Sequence, residues 1–299
     1  MGQLSMFKSL QEDLEELIRH PITDIEVFYE LTLKTFDLLS NEEIITLNSS
    51  SNTYDQYQFF VWDISPRPVK TRPVNSNLYI SEKDQFDEDF NKLIAKIEEF
   101  ASSNDIQAPD ISPNLINSVL YTLSISLGIA GDIVLESQGA KKNVGERFGD
   151  LILALLKKTQ ITHSAEIQPY GKSRIDLVLS PHDTVKSGDQ HVDPDEVFCS
   201  IKYSSKDRFK HVFSDKKDLE SACGEKVKMI AVFNHDIQRR GKRGVAKTFV
   251  PRVFTTNYDA NPLDGIYYFD LPRGHDDKHI KGRLLTFDKF ILNDLWEML

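Results

Sequence analysis

Three residues in the second half of this 299-residue chain could act together: Asp176, Ser200 and Lys202. The run Val197 to Tyr203 alternates, so Phe198, Ser200 and Lys202 share one face of a predicted strand and Val197, Cys199 and Ile201 the other. In the upstream run RIDLVL, Arg174, Asp176 and Val178 likewise share a face. Antiparallel pairing of the two strands would set Asp176 beside Ser200 and Lys202. A carboxylate next to an ammonium on a strand pair is the minimum equipment for metal-assisted phosphodiester hydrolysis. The acid holds a hard cation through oxygen, and the lysine orients the attacking water or offsets charge at phosphorus. Each residue also has a plainer reading. An aspartate here is often a strand-end residue, and a strand-edge lysine often only extends its head group to water. The order and spacing of the parts are more specific than any one of them.

The stretch from Arg174 to Glu220 resembles the PD-(D/E)XK nuclease signature, in the variant carried by type II restriction endonucleases that cut CCGG- and CCNGG-type sites. In that variant the strand reads S-x-K instead of E-x-K, and the following helix supplies the missing acid. Here the strand reads Ser200-Ile201-Lys202. Asp215, thirteen residues after the lysine, stands where the family usually carries Glu, with Asp218 and Glu220 as nearby substitutes. Lys206-Asp207-Arg208 resembles the family's R-(D/E)-R element, which reads C:G pairs. Lys206 departs from the family's Arg and loses the planar fork of a guanidinium. The resemblance covers about residues 145–270 and leaves the N-terminal third unmatched.

The resemblance implies Mg²⁺-dependent, sequence-specific cleavage of double-stranded DNA at a palindromic CC…GG-type site (CCGG, CCNGG or an extended version), leaving 5′-phosphates. Asp176 and Asp215 would bind the metal and Lys202 would position the water. A palindromic site implies a two-fold homodimer with one active site per strand. Proteins of this superfamily commonly add an acid from the helix before the first catalytic strand. Glu146 is the first choice for that role and Asp150 the alternative, against the plain reading of a solvated helix face. Some CCNGG cutters flip a base onto an aromatic ring, which makes Trp62 a candidate stacking platform. Its setting in YQFFVW suits a core residue equally. Two rivals remain: a structure-selective nuclease of the same fold, and a DNA-binding protein that does not cleave, the latter suggested by Ser200 in place of a strand acid.

Several elements must position these residues. Helical spacing runs through LSMFKSLQEDLEELI, closed by His20-Pro21, and through DIEVFYELTLKTFDLL and QFDEDFNKLIAKIEEFA. The segment 102–114 is rich in Pro, Ser, Asn and Asp and reads as a linker. It is followed by the apolar run NLINSVLYTLSISLGIAGDIVL, a buried helix or dimer contact. A further helix is expected to start near Asn143 and Gly145, with Glu146 near the positive end of its dipole. The loop PHDTVKSGDQHVDPD holds His182, His191 and several Asp; its spacing matches no zinc motif, so solvent exposure rather than metal binding is expected. Ser204 or Ser205 is the expected cap of a helix ending at Gly224, with residues 206–208 on its first turn facing base edges. From Arg239 to Arg252 stand six basic residues and no acid. Arg239, Arg240, Lys242 and Arg243 are read as either a solvated loop or a phosphate clamp.

The expected architecture is α/β: a restriction-endonuclease-like core with a mixed central sheet flanked by helices, and a mainly helical N-terminal region. Residues 1–112 would form that region, with a DNA-contacting arm and dimer contacts, and 113–299 the nuclease domain. Hydrophobic content of 40% and charged content of 27% are those of an ordinary globular chain. The formal net charge of -10 is not an objection to DNA, because binding follows local basic surface. Two cysteines are too few for a disulfide framework, and no run approaches 18 uninterrupted apolar residues. A cytoplasmic location and no membrane partner are therefore expected.

Overall fold

The computed structural model describes residues 2–62, 68–102, 110–135, 137–170, 173–205, 208–241 and 244–299. Helices α1 (Gly2–Arg19) and α2 (Ile25–Leu39) lead into four short strands, β1 (Ile44–Asn48), β2 (Tyr57–Trp62), β3 (Val69–Lys70) and β4 (Val74–Asn75). Helices α3 (Lys83–Ser102), α4 (Pro113–Val134) and α5 (Ser137–Lys158) follow. Next come β5 (His163–Tyr170), β6 (Ser173–Leu179), β7 (Val197–Ser204), α6 (Phe209–Cys223) and β8 (Lys228–His235). The chain closes with β9 (Ile237–Arg240), β10 (Gly244–Lys247), α7 (Pro251–Ala260), β11 (Gly265–Tyr268), β12 (Leu285–Thr286) and a helical tail. That tail comprises α8 (Phe287–Lys289), a π-helical stretch Phe290–Asp294 and α9 (Leu295–Met298).

These elements form two compact units. One comprises Met1–Ile94, Ser118–Leu155 and Ile237–Ala246; the other comprises Ala95–Asn117, Leu156–Asp236 and Lys247–Leu299. Neither is contiguous, and a division at residue 112 falls inside the first segment of the second unit.

In the first unit, α2 buries Ile25, Phe28 and Leu31, and Tyr29 stacks on Phe90 of α3 with ring centroids 4.6 Å apart. Between α2 and α3 in the sequence stands an antiparallel sheet, where the aromatic run reads as core or, at Trp62, as a stacking platform, with no sheet expected. β1 pairs with β2 from Ile44↔Trp62 to Asn48↔Gln58, and β2 also pairs with β3 and β4. Phe59, Phe60, Val61 and Trp62 are buried in succession, so both faces of β2 are covered. Asp132 of α4 receives the Arg72 amide at 2.6 Å and its guanidinium at 3.0 and 2.9 Å. The basic stretch after β8 is a β9–β10 hairpin that packs Ile237 and Val245 onto Tyr54, Tyr57 and Phe59. Gly244 is needed there, because a Cβ at that position would meet the Arg240 carbonyl oxygen at 2.4 Å.

The second unit is built on a six-stranded mixed sheet in the order β12-β11-β8-β7-β6-β5. β5–β6 and β6–β7 are antiparallel; β7–β8, β8–β11 and β11–β12 are parallel. Val178 and Phe198 are register partners and pack in one cluster with Phe209, Val212, Phe213 and Leu219 of α6. Those helical positions repeat at three- and four-residue spacing, so α6 lays one apolar face on this side of the sheet. It ends on Gly224 at φ 77°, a left-handed cap that glycine adopts without steric cost.

Three local expectations change. Helix α5 begins at Ser137, not near Asn143 or Gly145, so Glu146 lies in its interior and away from the positive end of its dipole. Helix α6 begins at Phe209 with Arg208 at its N-cap, not at Ser204 or Ser205. The 181–196 loop is also not simply solvent-exposed. Glu196 is fully buried and accepts the Lys186 and Ser187 amides at 2.7 and 2.9 Å, so a carboxylate satisfies backbone that water would otherwise serve. Helix α4 is long and apolar enough to cross a bilayer, but 83% of its apolar window is buried within the fold, as in a core helix.

Candidate active site

The site follows from where β6 and β7 stop pairing. Their antiparallel register runs Leu179↔Val197, Val178↔Phe198 and Leu177↔Cys199, and no pairing continues beyond it. β7 stays hydrogen-bonded to β8 through Ser204↔His235. The strands therefore diverge beside Asp176, and its carboxylate enters the gap. Asp176 Oδ2 accepts the Ile201 backbone N–H at 2.7 Å, the bond that a β6 carbonyl would otherwise have taken. The same oxygen accepts from Lys202 Nζ in a short ion pair, and Ser200 Oγ lies 3.4 Å away. Both charged side chains are about 30% exposed, at 31% for Asp176 and 28% for Lys202. They are held by the fold yet open to solvent and solute.

The two-residue period decides the side on which this pair lies. Asp176 and Ser200 step off Val178 and Phe198, whose face carries α6. Asp215 of α6 is half-buried and electrostatically coupled to both Lys202 and Asp176. Burial is the main cause that pushes its carboxyl above the ordinary aspartate value. The charges of Asp176 and Asp218 push the same way, while Lys202 and His211 oppose. Two carboxylates and an ammonium thus interact on one side of the sheet, with Ser200 buried next to Asp176. Of the substitutes, Asp218 is exposed. Glu220 is five residues on, about 140° around the helix from Asp215, and is paired with Lys226 at 2.8 Å. His211, one turn before Asp215, was not singled out from sequence; an i, i+4 spacing to Asp215 was its only signal.

The other candidate residues are placed as follows. Glu146 is half-exposed on α5 and pairs with Lys142 at 3.7 Å and Arg147 at 3.5 Å. Asp150 accepts the Ile22 amide at 2.9 Å and lies 3.1 Å from Arg147 Nε, so it ties the α1–α2 turn to α5. Trp62 is 8% exposed and donates its indole N–H to Glu43 at 3.1 Å, so base stacking there would require β1 and β2 to open. Arg208 is exposed at the N-terminus of α6. Arg239 and Arg240 are exposed on β9, and the Arg239 guanidinium donates to the Lys70 carbonyl. The Lys70 ammonium sits 3.7 Å from the Phe59 ring centroid. Lys206, Asp207, Lys242 and Arg243 lie outside the described residues.

No protein-family model and no curated protein matches the chain. Solved structures do. The type IIP restriction endonuclease Kpn2I superposes with a TM-score of 0.72 at 18% identity, covering 96% of this chain and 95% of that one. The complex of restriction endonuclease PspGI with substrate DNA matches at a TM-score of 0.45 and 12% identity, covering 72% and 92% of the two chains. Metal-depleted Ecl18kI in complex with uncleaved, modified DNA matches at 0.37 and 15%, covering 95% and 82%. Taken with the mixed sheet and its order, the first of these gives the conclusion on architecture: the chain has the fold of a restriction endonuclease.

Proposed function

We propose that the chain is a type II restriction endonuclease. It would cut double-stranded DNA at a palindromic CC…GG-type site (CCGG, CCNGG or an extended version) with Mg²⁺, leaving 5′-phosphates. The observation that carries the reading is the Asp176–Lys202 pair at the point where β6 and β7 part, with Asp215 half-buried beside it. The likeness of fold to Kpn2I, a type IIP restriction endonuclease, supports the class of activity.

Asp176 and Asp215 suit a hard divalent cation. Both offer carboxylate oxygen, and their mutual charge is one cause of the raised Asp215 value, a repulsion that a cation offsets. Asp176 and Asp215 would hold Mg²⁺, which when bound lowers the pKa of a coordinated water and offsets charge on the phosphate. The protein's own residues set the geometry. Asp176 is fixed by the Ile201 amide, and it in turn fixes the Lys202 ammonium. From there Lys202 orients water for in-line attack and offsets negative charge developing at phosphorus. Ser200 contributes by being small. Glu146 is the candidate third acid.

For recognition, Arg208 would donate to guanine O6/N7 and Asp207 would accept from cytosine N4, with Lys206 alongside. The exposed Arg239 and Arg240, together with Lys242 and Arg243, would clamp phosphates and so reconcile DNA binding with a net charge of -10. A homodimer would present one active site to each strand.

The test is digestion of unmethylated phage DNA in Mg²⁺ with a Lys202→Ala control. Discrete fragments absent from the control support the reading, and their mapped ends give the site and stagger. A smear would point to a structure-selective nuclease. Site binding in Ca²⁺ with no cutting in Mg²⁺ would point to a binding protein in which Asp215 does not replace the strand acid.

A further inference from the structure

The loop between β6 and β7 brings together a set of ligands that the proposed nuclease reaction does not use. One ligand atom from each of His182, Asp193 and Asp195 lies within 4.8 Å of the others. His182 Nε2 is shielded from solvent, makes no hydrogen bond and stands 3.9 Å from Asp193 Oδ2. Around it the loop is fixed: Asp193 Oδ1 accepts the Asp195 amide at 3.0 Å, and Ser187 Oγ accepts the Asp193 amide at 2.8 Å. Asp193 Oδ2 is thereby left facing the imidazole.

We propose that His182, Asp193 and Asp195 form a binding site for a divalent transition ion of the zinc class. One imidazole nitrogen and two carboxylate oxygens make a borderline donor set, which suits Zn²⁺ better than the all-oxygen surroundings preferred by Mg²⁺. Tetrahedral bonds of about 2.0–2.2 Å set ligand atoms roughly 3.4 Å apart, so atoms that now lie within 4.8 Å of one another need to close by up to about 1.4 Å, with water as fourth ligand. A cation already approaches this site, since Lys186 Nζ lies 3.4 Å from Asp193 Oδ2. The ion would replace that ammonium and join the two ends of the loop. The site is separate from the Asp176–Lys202 pair: β7 alone, from Val197 to Lys202, spans roughly 16 Å at the usual strand rise. The inference does not rest on the nuclease reading.

The test is calorimetric titration of Zn²⁺ into the chelator-treated full-length protein, with excess Mg²⁺ present to occupy hard-oxygen sites. It is run on the native chain and on His182→Gln, Lys186→Gln and Asp176→Asn, with the visible absorption of added Co²⁺ as a second readout. The proposal expects one Zn²⁺ per chain, retained in Asp176→Asn and weakened by at least about tenfold in His182→Gln. Affinity should rise in Lys186→Gln, where the competing ammonium is gone, an effect that a merely structural role for the loop would not produce. Co²⁺ should give intense visible bands that disappear in His182→Gln. No binding to the native chain, or binding that survives in His182→Gln, overturns the proposal. Thermal unfolding of His182→Gln on the same preparation separates loss of the site from loss of the fold: an unchanged melting temperature with weakened Zn²⁺ binding is the expected result.

Discussion

Asp176 has two roles in the structure, and substitution separates them. It accepts the buried Ile201 amide and carries the negative charge that holds Lys202. Asp176→Ala removes both. The orphaned amide costs about 1–3 kcal/mol, while the lost ion pair, being partly exposed, adds little. For a domain of this size that lowers the melting temperature by roughly 2–6 °C. Asp176→Asn keeps an oxygen for the amide and loses only the charge, so its melting temperature should stay within about 2 °C of wild type. Both variants lose the charge proposed to hold the metal. If the transition state forfeits about 4 kcal/mol or more of charge stabilisation, single-turnover cleavage falls by about 10³-fold or more. The assay is cleavage of a site-bearing plasmid in saturating Mg²⁺, with thermal unfolding measured on the same preparations. Asn and Ala should be equally inactive but unequally stable. An Asp176→Asn protein that cuts within tenfold of wild type would refute the metal-ligand role. One that melts as low as Asp176→Ala would refute the hydrogen-bond account.

Other perturbations test other parts of the structure. Burial pushes the Asp236 carboxyl up to about 6, against the hydrogen bond from the Phe249 amide. Its neutral form is therefore favoured in the folded state: that stabilisation is complete below about pH 4 and is lost as pH rises through about 6. Asp236→Asn should accordingly stabilise the fold more at pH 8 than at pH 4.5, by up to about 2 kcal/mol, read from thermal unfolding at the two pH values; an equal gain at both pH values would contradict this. Asp132→Asn removes the charge opposite the Arg72 guanidinium, whose side chain is 13% exposed, and should cost about 3 kcal/mol in denaturant unfolding. Arg239→Ala with Arg240→Ala should weaken DNA binding about equally across sequences and reduce the salt slope by about 2. A change confined to one site sequence would move these residues from phosphates to bases.

The site was legible because strand geometry has a period of two and α6 has a clean apolar stripe. Asp176 beside Ser200 and Lys202 was expected from parity and antiparallel pairing, and the contacts of Asp176 with both residues match that placement. Asp215 then needed only a helix on the same face. The parting of β6 and β7 could not be read from either strand, because both continue in strand-forming residues beyond the last pair. The β1–β4 sheet was missed because aromatic YQFFVW serves a core without declaring partners, and β1, IITLN, is short and half-exposed. The β9–β10 hairpin was hidden by its charges: its strands are four residues each, and only Ile237 and Val245 mark the buried side. The 181–196 loop looked exposed because its polar residues satisfy one another, through Glu196 above all, and such pairing leaves no periodic trace.

The division of the chain bears on how it acquires its structure. The two units are assembled from six alternating segments, so the chain passes between them five times. No single cut yields a fragment containing one whole unit and nothing else. The last segment of the first unit, Ile237–Ala246, joins residues that left the exit of the ribosome far earlier. Loops of this length must close before their contacts reward the closure, which slows folding and prolongs the exposure of unpaired strand edges. Refolding should therefore be slow, with the two units completing together, and limited proteolysis at any one exposed loop should release no independently stable piece.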